Sequence, residues 1–203
     1  MEFKRTNDFS KVWEAPLLET KLMDETDILN MLRNEYLHDM HSHFIVSGEG
    51  RYDDTRNFEY GIVPDRIKKL EEAYQNGQTI VIKEIETWNQ KIIDKCASFQ
   101  APTNVHLYLS PARATGFGWH TDDRDVFVIV QMGEKLFEVE EPDASMSTYR
   151  LKEGQILFIP YGARHRAIAE NIPSIHLSFG VWPKNMTINQ QYGIFDMPIK
   201  LNL

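Results

Sequence analysis

The sequence predicts a mainly β protein, a jelly-roll sandwich braced on one side by helices from its N-terminal half. Three observations carry this. Beyond Pro102, short runs rich in β-branched and aromatic residues follow one another: VHLYLS, VFVIVQM, KLFEVE, STYRL, QILFIP, RHRAIA and SIHLSFGVW. Turn formers separate them, among them MGE, EPDAS, KEG and PYG, and strands so short and close specify a sandwich or barrel rather than a parallel α/β sheet. Before Pro102 the apolar residues recur at helical spacing instead, which places helices beside the β-layers.

The chain has 203 residues, enough for one domain with a real core. The expected division is helical support with one or more strands over 1–101, a jelly-roll core over 102–183 and a tail over 184–203. Apolar content of 42% is ordinary for a globular protein, and a net charge of −8 argues against nucleic-acid partners, which need a basic surface. A basic peptide substrate remains compatible with that charge. Cys96 is the single cysteine, so no internal disulfide forms and a reducing, cytoplasmic location is expected. The N-terminus carries no secretory pattern, and no run is long and apolar enough for a membrane span.

Taken in order, Asn7 to Leu18 places Phe9, Val12 and Trp13 at helical spacing, with Pro16 as the stop. Asp24 to Leu37 reads as a second helix, with a stripe of Ile28, Leu29, Leu32 and Tyr36 and acids in its first turn. His38, His41 and His43 follow in what reads as a polar loop. Ser47 to Tyr60 reads as a loop rich in Gly, Asp and Arg, either mobile surface or part of a lid. Pro64 to Asn76 is a helix with Gly77 at its C-terminal stop. Thr79 to Ile85 is a strand. Thr87 to Phe99 is a helix turning Trp88, Ile92, Cys96 and Phe99 to the core, which makes Cys96 a small buried hydrophobe. The tail, Lys184 to Leu203, either covers a barrel end or supplies a homodimer contact.

The β-region can be read face by face, because alternate residues of a strand share a face. His120 and Asp122, in GWHTDD, can reach one metal ion together, and His165, in IPYGARHRA, is the best second histidine. Two histidines and one carboxylate, with other positions open, are the pattern that holds non-haem Fe(II) in oxygenases. In EKLFEVE, Lys135 shares the apolar, inward face with Phe137 and Val139, which is costly unless an anion meets the ammonium. In SIHLSFG, Ser174, His176 and Ser178 share one face while Ile175, Leu177 and Phe179 pack a core. His106, Tyr108 and Ser110 alternate in the same way. Several strands thus aim polar groups at one interior, the default form of a binding site. Phe117 and Trp119 are placed either at the lip of that site or in the core.

From Val105 to Trp182 the sequence resembles the JmjC, or cupin-like, 2-oxoglutarate oxygenases, most closely the ribosomal-oxygenase branch. That branch carries H-x-D-x-x-D-V-F-x-x-Q followed by G-x-K, and here HTDDRDVFVIVQMGEK stands in its place. GQILFIPYGARH is similar to the family's G-x-x-L-x-I-P-x-G-x-x-H run, and SIHLSFG to its closing strand. FSKVWEAPLL and GQTIVI resemble the family's lead-in segment and pre-barrel strand.

The resemblance implies a double-stranded β-helix, Fe(II) at His120, Asp122 and His165, and 2-oxoglutarate as cosubstrate with O2. Lys135 would take the distal carboxylate of 2-oxoglutarate, and Tyr108, Ser178 and His176 would surround it. The implied reaction is hydroxylation with release of succinate and CO2. Where the family commonly has Asn two residues before the Tyr, this chain has His106. The branch continues past its barrel into dimerisation and winged-helix regions, which are not expected here. The expected substrate is accordingly a peptide, an amino-acid derivative or a natural-product precursor. Two rival classes stand beside this: a metal cupin of another reaction type, isomerase or hydrolase, since Zn accepts the same ligands, and a non-catalytic cupin binding module.

Overall fold

The computed structural model describes residues 13–16, 21–33, 43–47, 51–54, 63–114, 116–141 and 143–182. In chain order these form β1 (Trp13–Pro16), α1 (Glu25–Leu32), β2 (His43–Ser47), β3 (Arg51–Asp54), α2 (Val63–Gln75), β4 (Thr79–Ile82), α3 (Gln90–Ser98), β5 (Thr103–Ser110), β6 (Asp125–Glu140), β7 (Met146–Lys152), β8 (Gln155–Ile159), β9 (His165–Ile168) and β10 (Ser174–Val181). The protein is mainly β, a curled antiparallel sheet of the jelly-roll type with few helices. The main path runs β1-β8-β6-β10-β5-β4-β2-β3, and β7 and β9 pair with β6 off that path.

The 16-residue β6 joins the two layers. Its first half pairs with β8 and β10, and its second half, from Glu134, pairs with β7 and β9. The change of layer comes at Gly133, which pairs with Ser174, just past a register shift between Ile175 and His176 that falls opposite Gln131. Gly133 has φ +73°, and a Cβ there would sit 1.9 Å from the Pro173 carbonyl oxygen, so only glycine permits this approach.

The two faces of the main sheet bury different things. One face sends Val105, Leu107, Leu109, Phe127, Ile129, Ile156, Phe158, Leu177 and Phe179 into a core shared with Ile28 and Met31 of α1, Leu70 of α2 and Ile92 of α3. The other face holds a smaller core of Val126, Val128, Val130, Phe137, Leu151, Leu157 and Ile159, and the polar cavity opens beside it. Helix α1 starts at a capping box in which the Asp24 carboxylate accepts from the Asp27 amide and Asp27 accepts from Asp24 N–H, satisfying two otherwise orphaned donors. Helix α3 is capped by Asn89, whose Oδ1 accepts from Ile92 N–H at 2.9 Å. No helix among the described residues is long and apolar enough to cross a membrane.

Several expectations need correction. Trp13–Pro16, expected in a helix, is a strand paired with β8; the sheet edge overrides a short local periodicity, and Pro sits where an edge strand tolerates it. Leu29, expected on the buried stripe of α1, is 47% exposed, while Met31 is buried. His43 starts β2 instead of lying in a loop, and Arg51–Asp54, inside the expected loop of 47–60, pairs with β2 as a hairpin. VFVIVQM and KLFEVE, expected as two strands with MGE as a turn, are one strand, because Gly133 is a kink inside a ladder rather than a chain reversal. Tyr36, His38, His41 and the tail 184–203 lie outside the described residues.

Candidate metal centre

His120 is placed by a reciprocal pair of backbone hydrogen bonds with His165, at 3.0 and 2.9 Å. It sits in an isolated bridge rather than inside a regular strand, so the strand placement expected for His-x-Asp is replaced by a single rung that clamps the two histidines together. Asp122, in the bend that follows, brings Oδ2 to 3.5 Å from His165 Nε2. One ligand atom from each of His120, Asp122 and His165 lies within 4.8 Å of the others, and the imidazole centroids are 4.4 Å apart.

Both rings are oriented from behind. His120 Nδ1 is 2.9 Å from the Gly118 carbonyl oxygen and His165 Nδ1 is 3.0 Å from that of Ala163. A carbonyl can only accept, so each Nδ1 carries the proton and each Nε2 keeps a lone pair, the arrangement that outer-shell carbonyls impose on metal-ligating histidines. Burial, and then the neighbouring His120, lower the pKa of His165, which keeps that ring neutral as a ligand must be. The donor set thus fits a divalent first-row metal with positions left open.

A cavity of about 490 Å³ opens on these groups, within the size range of small-molecule sites. Its wall includes Tyr108, His176 and Ser178, together with His106, Phe117 and Trp119. Tyr108 and His176 stack face to face at 4.5 Å, with Phe137 edge-on to His176 at 5.9 Å. Phe117 packs on Tyr108 and His120. The guanidiniums of Arg164 and Arg166 each lie 4.9 Å from the Trp119 ring, and both Phe117 and Trp119 line the cavity. Arg164 and Arg166 are in turn paired with Glu140 and Glu138.

Lys135 is 2% exposed, and its ammonium donates to Ser110 Oγ at 2.9 Å. Among the described residues no carboxylate lies within ion-pairing distance of it. Burial pushes its pKa down to about 7. Lys135 is not on the cavity wall itself; it lies one rung further along the sheet, where Ser110 of β5 faces Ser174 of β10. Two polar atoms near this end have no hydrogen-bond partner, Ser174 Oγ and His176 Nδ1. Unpaired buried polar atoms are rare in native proteins and mark a place where a ligand or water belongs. Sequence reasoning nominated Lys135, Tyr108, Ser178 and His176. It did not nominate Ser110 or Ser174, although the same alternation pointed to them.

Residues 80–188 match the JmjC domain family. Among similar proteins is the bifunctional lysine-specific demethylase and histidyl-hydroxylase NO66 of Branchiostoma floridae. It is 25% identical over 198 residues, covering 90% of this chain and 32% of the relative. Its counterpart in Dictyostelium discoideum is 26% identical over 137 residues, covering 55% and 27%. Among solved structures, the ribosomal oxygenase YcfD of Escherichia coli in complex with cobalt and succinic acid aligns with TM-score 0.59 at 15% identity, over 86% of this chain and 49% of that one. The complex of YcfD with cobalt and 2-oxoglutarate aligns with TM-score 0.55 at 15% identity, over 85% and 48%. At that identity the likeness is one of fold. The chain spans about a third of the length of the first of these curated relatives and about half of the solved chains.

Proposed function

The chain belongs to the JmjC-domain family, and from that premise we propose that it is an Fe(II)- and 2-oxoglutarate-dependent oxygenase. Its substrate is a peptide side chain or a small amino-acid-derived or natural-product molecule carrying an unactivated C–H bond. The observation that carries the reading is the pairing of a two-histidine, one-carboxylate cluster with a buried lysine that has no carboxylate within ion-pairing distance among the described residues. The names of the relatives and the cobalt and 2-oxoglutarate complex of YcfD support it. A metal isomerase, a hydrolase or a binding module would account for the triad, but would leave Lys135 and the two orphaned polar atoms without a use.

In this reading His120, Asp122 and His165 hold Fe(II) through His120 Nε2, one Asp122 carboxylate oxygen and His165 Nε2. When bound, Fe(II) together with 2-oxoglutarate activates O2, so that the cosubstrate leaves as succinate and CO2 and a substrate C–H becomes C–OH. The protein's part is orientation. The carbonyls of Gly118 and Ala163 keep the imidazoles aimed, with Nε2 toward the metal position. The Lys135 ammonium, which rests on Ser110, would pair with the distal carboxylate of 2-oxoglutarate, and the His176 ring and Ser174 hydroxyl, both without a partner, would be available to it. Tyr108 and Ser178 flank the path between the metal and that pocket. The Phe117 and Trp119 rings exclude water from the metal side of the cavity.

The test is direct. The full chain, loaded anaerobically with Fe(II), should develop a weak visible charge-transfer band when 2-oxoglutarate is added. On admission of air it should release succinate, and a screen of candidate peptides and metabolites should yield a product heavier by one oxygen. A chain that gives neither band nor succinate is not this kind of oxygenase.

A further inference from the structure

The two segments that carry the metal ligands, 120–125 and 160–165, are tied together by backbone hydrogen bonds and by one side chain. The His120–His165 rung joins them at one end. At the other, Gly162 N–H donates to the Asp122 carbonyl at 3.1 Å, and Ala163 N–H closes a tight turn on the Pro160 carbonyl, also at 3.1 Å. Gly162 has φ +74°, the left-handed conformation that such a turn requires at this position. The side-chain tie is at Tyr161, whose N–H donates to Asp125 Oδ1 at 2.9 Å.

Asp125 stands where the β6–β8 ladder runs out. The last rung of that pair is Val126 with Ile159, and Asp125, the first residue of β6, reaches the turn beyond it with its carboxylate. It is outside the ligand cluster and does not line the cavity, so it touches neither the metal position nor the substrate space. Its neighbour Asp123 is paired with Arg124 at 2.7 Å, whereas the partner of Asp125 is the Tyr161 amide. Burial raises the Asp125 pKa and that amide lowers it, so the hydrogen bond offsets part of the cost of a half-buried carboxylate. The turn it holds bears on both ligands behind it. The Ala163 carbonyl orients His165 through Nδ1 at 3.0 Å, and the Gly162 amide holds the Asp122 backbone. A shift of the turn would therefore disturb the two ligands together.

We propose that Asp125 is a positioning residue of the metal centre: by holding the Tyr161 amide it fixes the 160–163 turn, and through that turn it sets His165 and Asp122 at the spacing one ion needs. The inference rests on the metal reading of His120, Asp122 and His165. Metal ligands must meet a narrow geometry, so removing a group that orients them weakens metal binding about 10- to 100-fold. The bond to Tyr161 needs only an acceptor at Oδ1, so an amide oxygen can stand in for the carboxylate.

The test is titration of the metal-free full chain with Co(II), read by calorimetry and by the visible ligand-field bands of the bound ion, so that no turnover is needed. Asp125→Ala should weaken Co(II) binding about tenfold or more and shift the bands. Asp125→Asn should keep the parent's bands and bind within about threefold of it, the difference between a charge-assisted and a neutral hydrogen bond. Tyr161→Pro removes the same bond from the donor side. The Tyr161 side chain is exposed, and proline suits the second position of a turn. This variant should reproduce Asp125→Ala, and the double variant should bind no more weakly than either, because one bond is lost in all three. Should Asp125→Ala misfold by circular dichroism, Tyr161→Pro decides alone. Parent-like Co(II) affinity in Asp125→Ala or Tyr161→Pro overturns the inference even if the melting point falls, because the bond then only stabilises the fold. Equal losses in Asp125→Asn and Asp125→Ala overturn it too, as do additive losses in the double variant. A parent that binds no Co(II) is a different result and sinks the metal reading on which the inference stands.

Discussion

Lys135→Met should do two opposite things, and the opposition is what makes it informative. Methionine is similar in length and carries no charge. In the free protein the ammonium is buried, and its pKa falls from 10.5 to about 7. At about 1.4 kcal/mol per pH unit this sets a ceiling of about 5 kcal/mol on the cost of keeping it charged. Relaxation and water entry lower that figure, and Ser110 retains Thr79 Oγ1 at 3.1 Å as a partner, so a net stabilisation of about 2–4 kcal/mol is expected on removing the charge. For a chain of this length that raises the melting midpoint by about 5–10 °C. The same substitution would delete the counter-charge proposed for the distal carboxylate of 2-oxoglutarate, a contribution of about 1.5–3 kcal/mol, so cosubstrate affinity should fall about ten- to a hundredfold. Differential scanning fluorimetry of the free protein and titration of 2-oxoglutarate into the Mn(II)-loaded protein read the two effects. A variant that melts lower than the parent shows that Lys135 is a structural residue. One that binds 2-oxoglutarate as well as the parent shows that the carboxylate is held elsewhere. Either result refutes the reasoning.

The remaining predictions follow from the same geometry. Because the folded-state pKa of Lys135 lies below the roughly 10.4 of an unfolded lysine, the unfolded chain binds the extra proton between about pH 7 and 10. This group therefore makes the free protein more stable as pH rises through that window, and its contribution is lost as pH falls toward 7. 2-Oxoglutarate binding should show the reverse, weakening above about pH 7 as the ammonium deprotonates, and Lys135→Met should abolish that slope in calorimetric titrations. His120→Ala, Asp122→Ala and His165→Ala should each eliminate succinate formation and Fe(II) binding with circular dichroism unchanged; full turnover in any one removes that residue from the ligand set. Gln131→Leu should destabilise the chain by about 2–4 kcal/mol in urea titrations. It strands the Leu22 and Met23 amides, each now 3.0 Å from Gln131 Oε1, as buried unsatisfied donors; an unchanged midpoint would mean that water replaces the carboxamide.

How far the sequence reached depended on what kind of signal each element carries. Strands with one polar and one apolar face were readable because alternation is local: SIHLSFG sends Leu177 and Phe179 to the helix-side core and His176 to the cavity, as its pattern required. Helix α3 was readable from Ile92, Cys96 and Phe99 at helical spacing. Trp13–Pro16 was not, since an edge strand gains its definition from the partner it pairs with, here Phe158 to Gln155, and four residues carry no reliable period of their own. The continuity of β6 through Gly133 was hidden for a related reason. Glycine beside charged residues is the composition of a turn, and only the close approach of Pro173 to Gly133 makes it a kink within a ladder.

The same distinction separates the legible part of the site from the rest. His120, Asp122 and His165 are marked by residue type and spacing, and Lys135 by the contradiction of a charge on an apolar face. Lys83 and Arg124, which also line the cavity, carry neither mark. A lysine after a short strand and an arginine in TDDRD are ordinary surface residues in sequence terms, and even their structural neighbours, Glu84 and Asp123, suggest solvated charge. What gathers them is the pairing of β4 with β5 and of β5 with β10, together with the space at Gly180 through which Arg124 and Asn104 cross. Metal ligands must satisfy a narrow geometry, so they leave a pattern along the chain. Wall residues under no such constraint can come from any strand end that reaches the cavity, which is why a sequence states them least clearly.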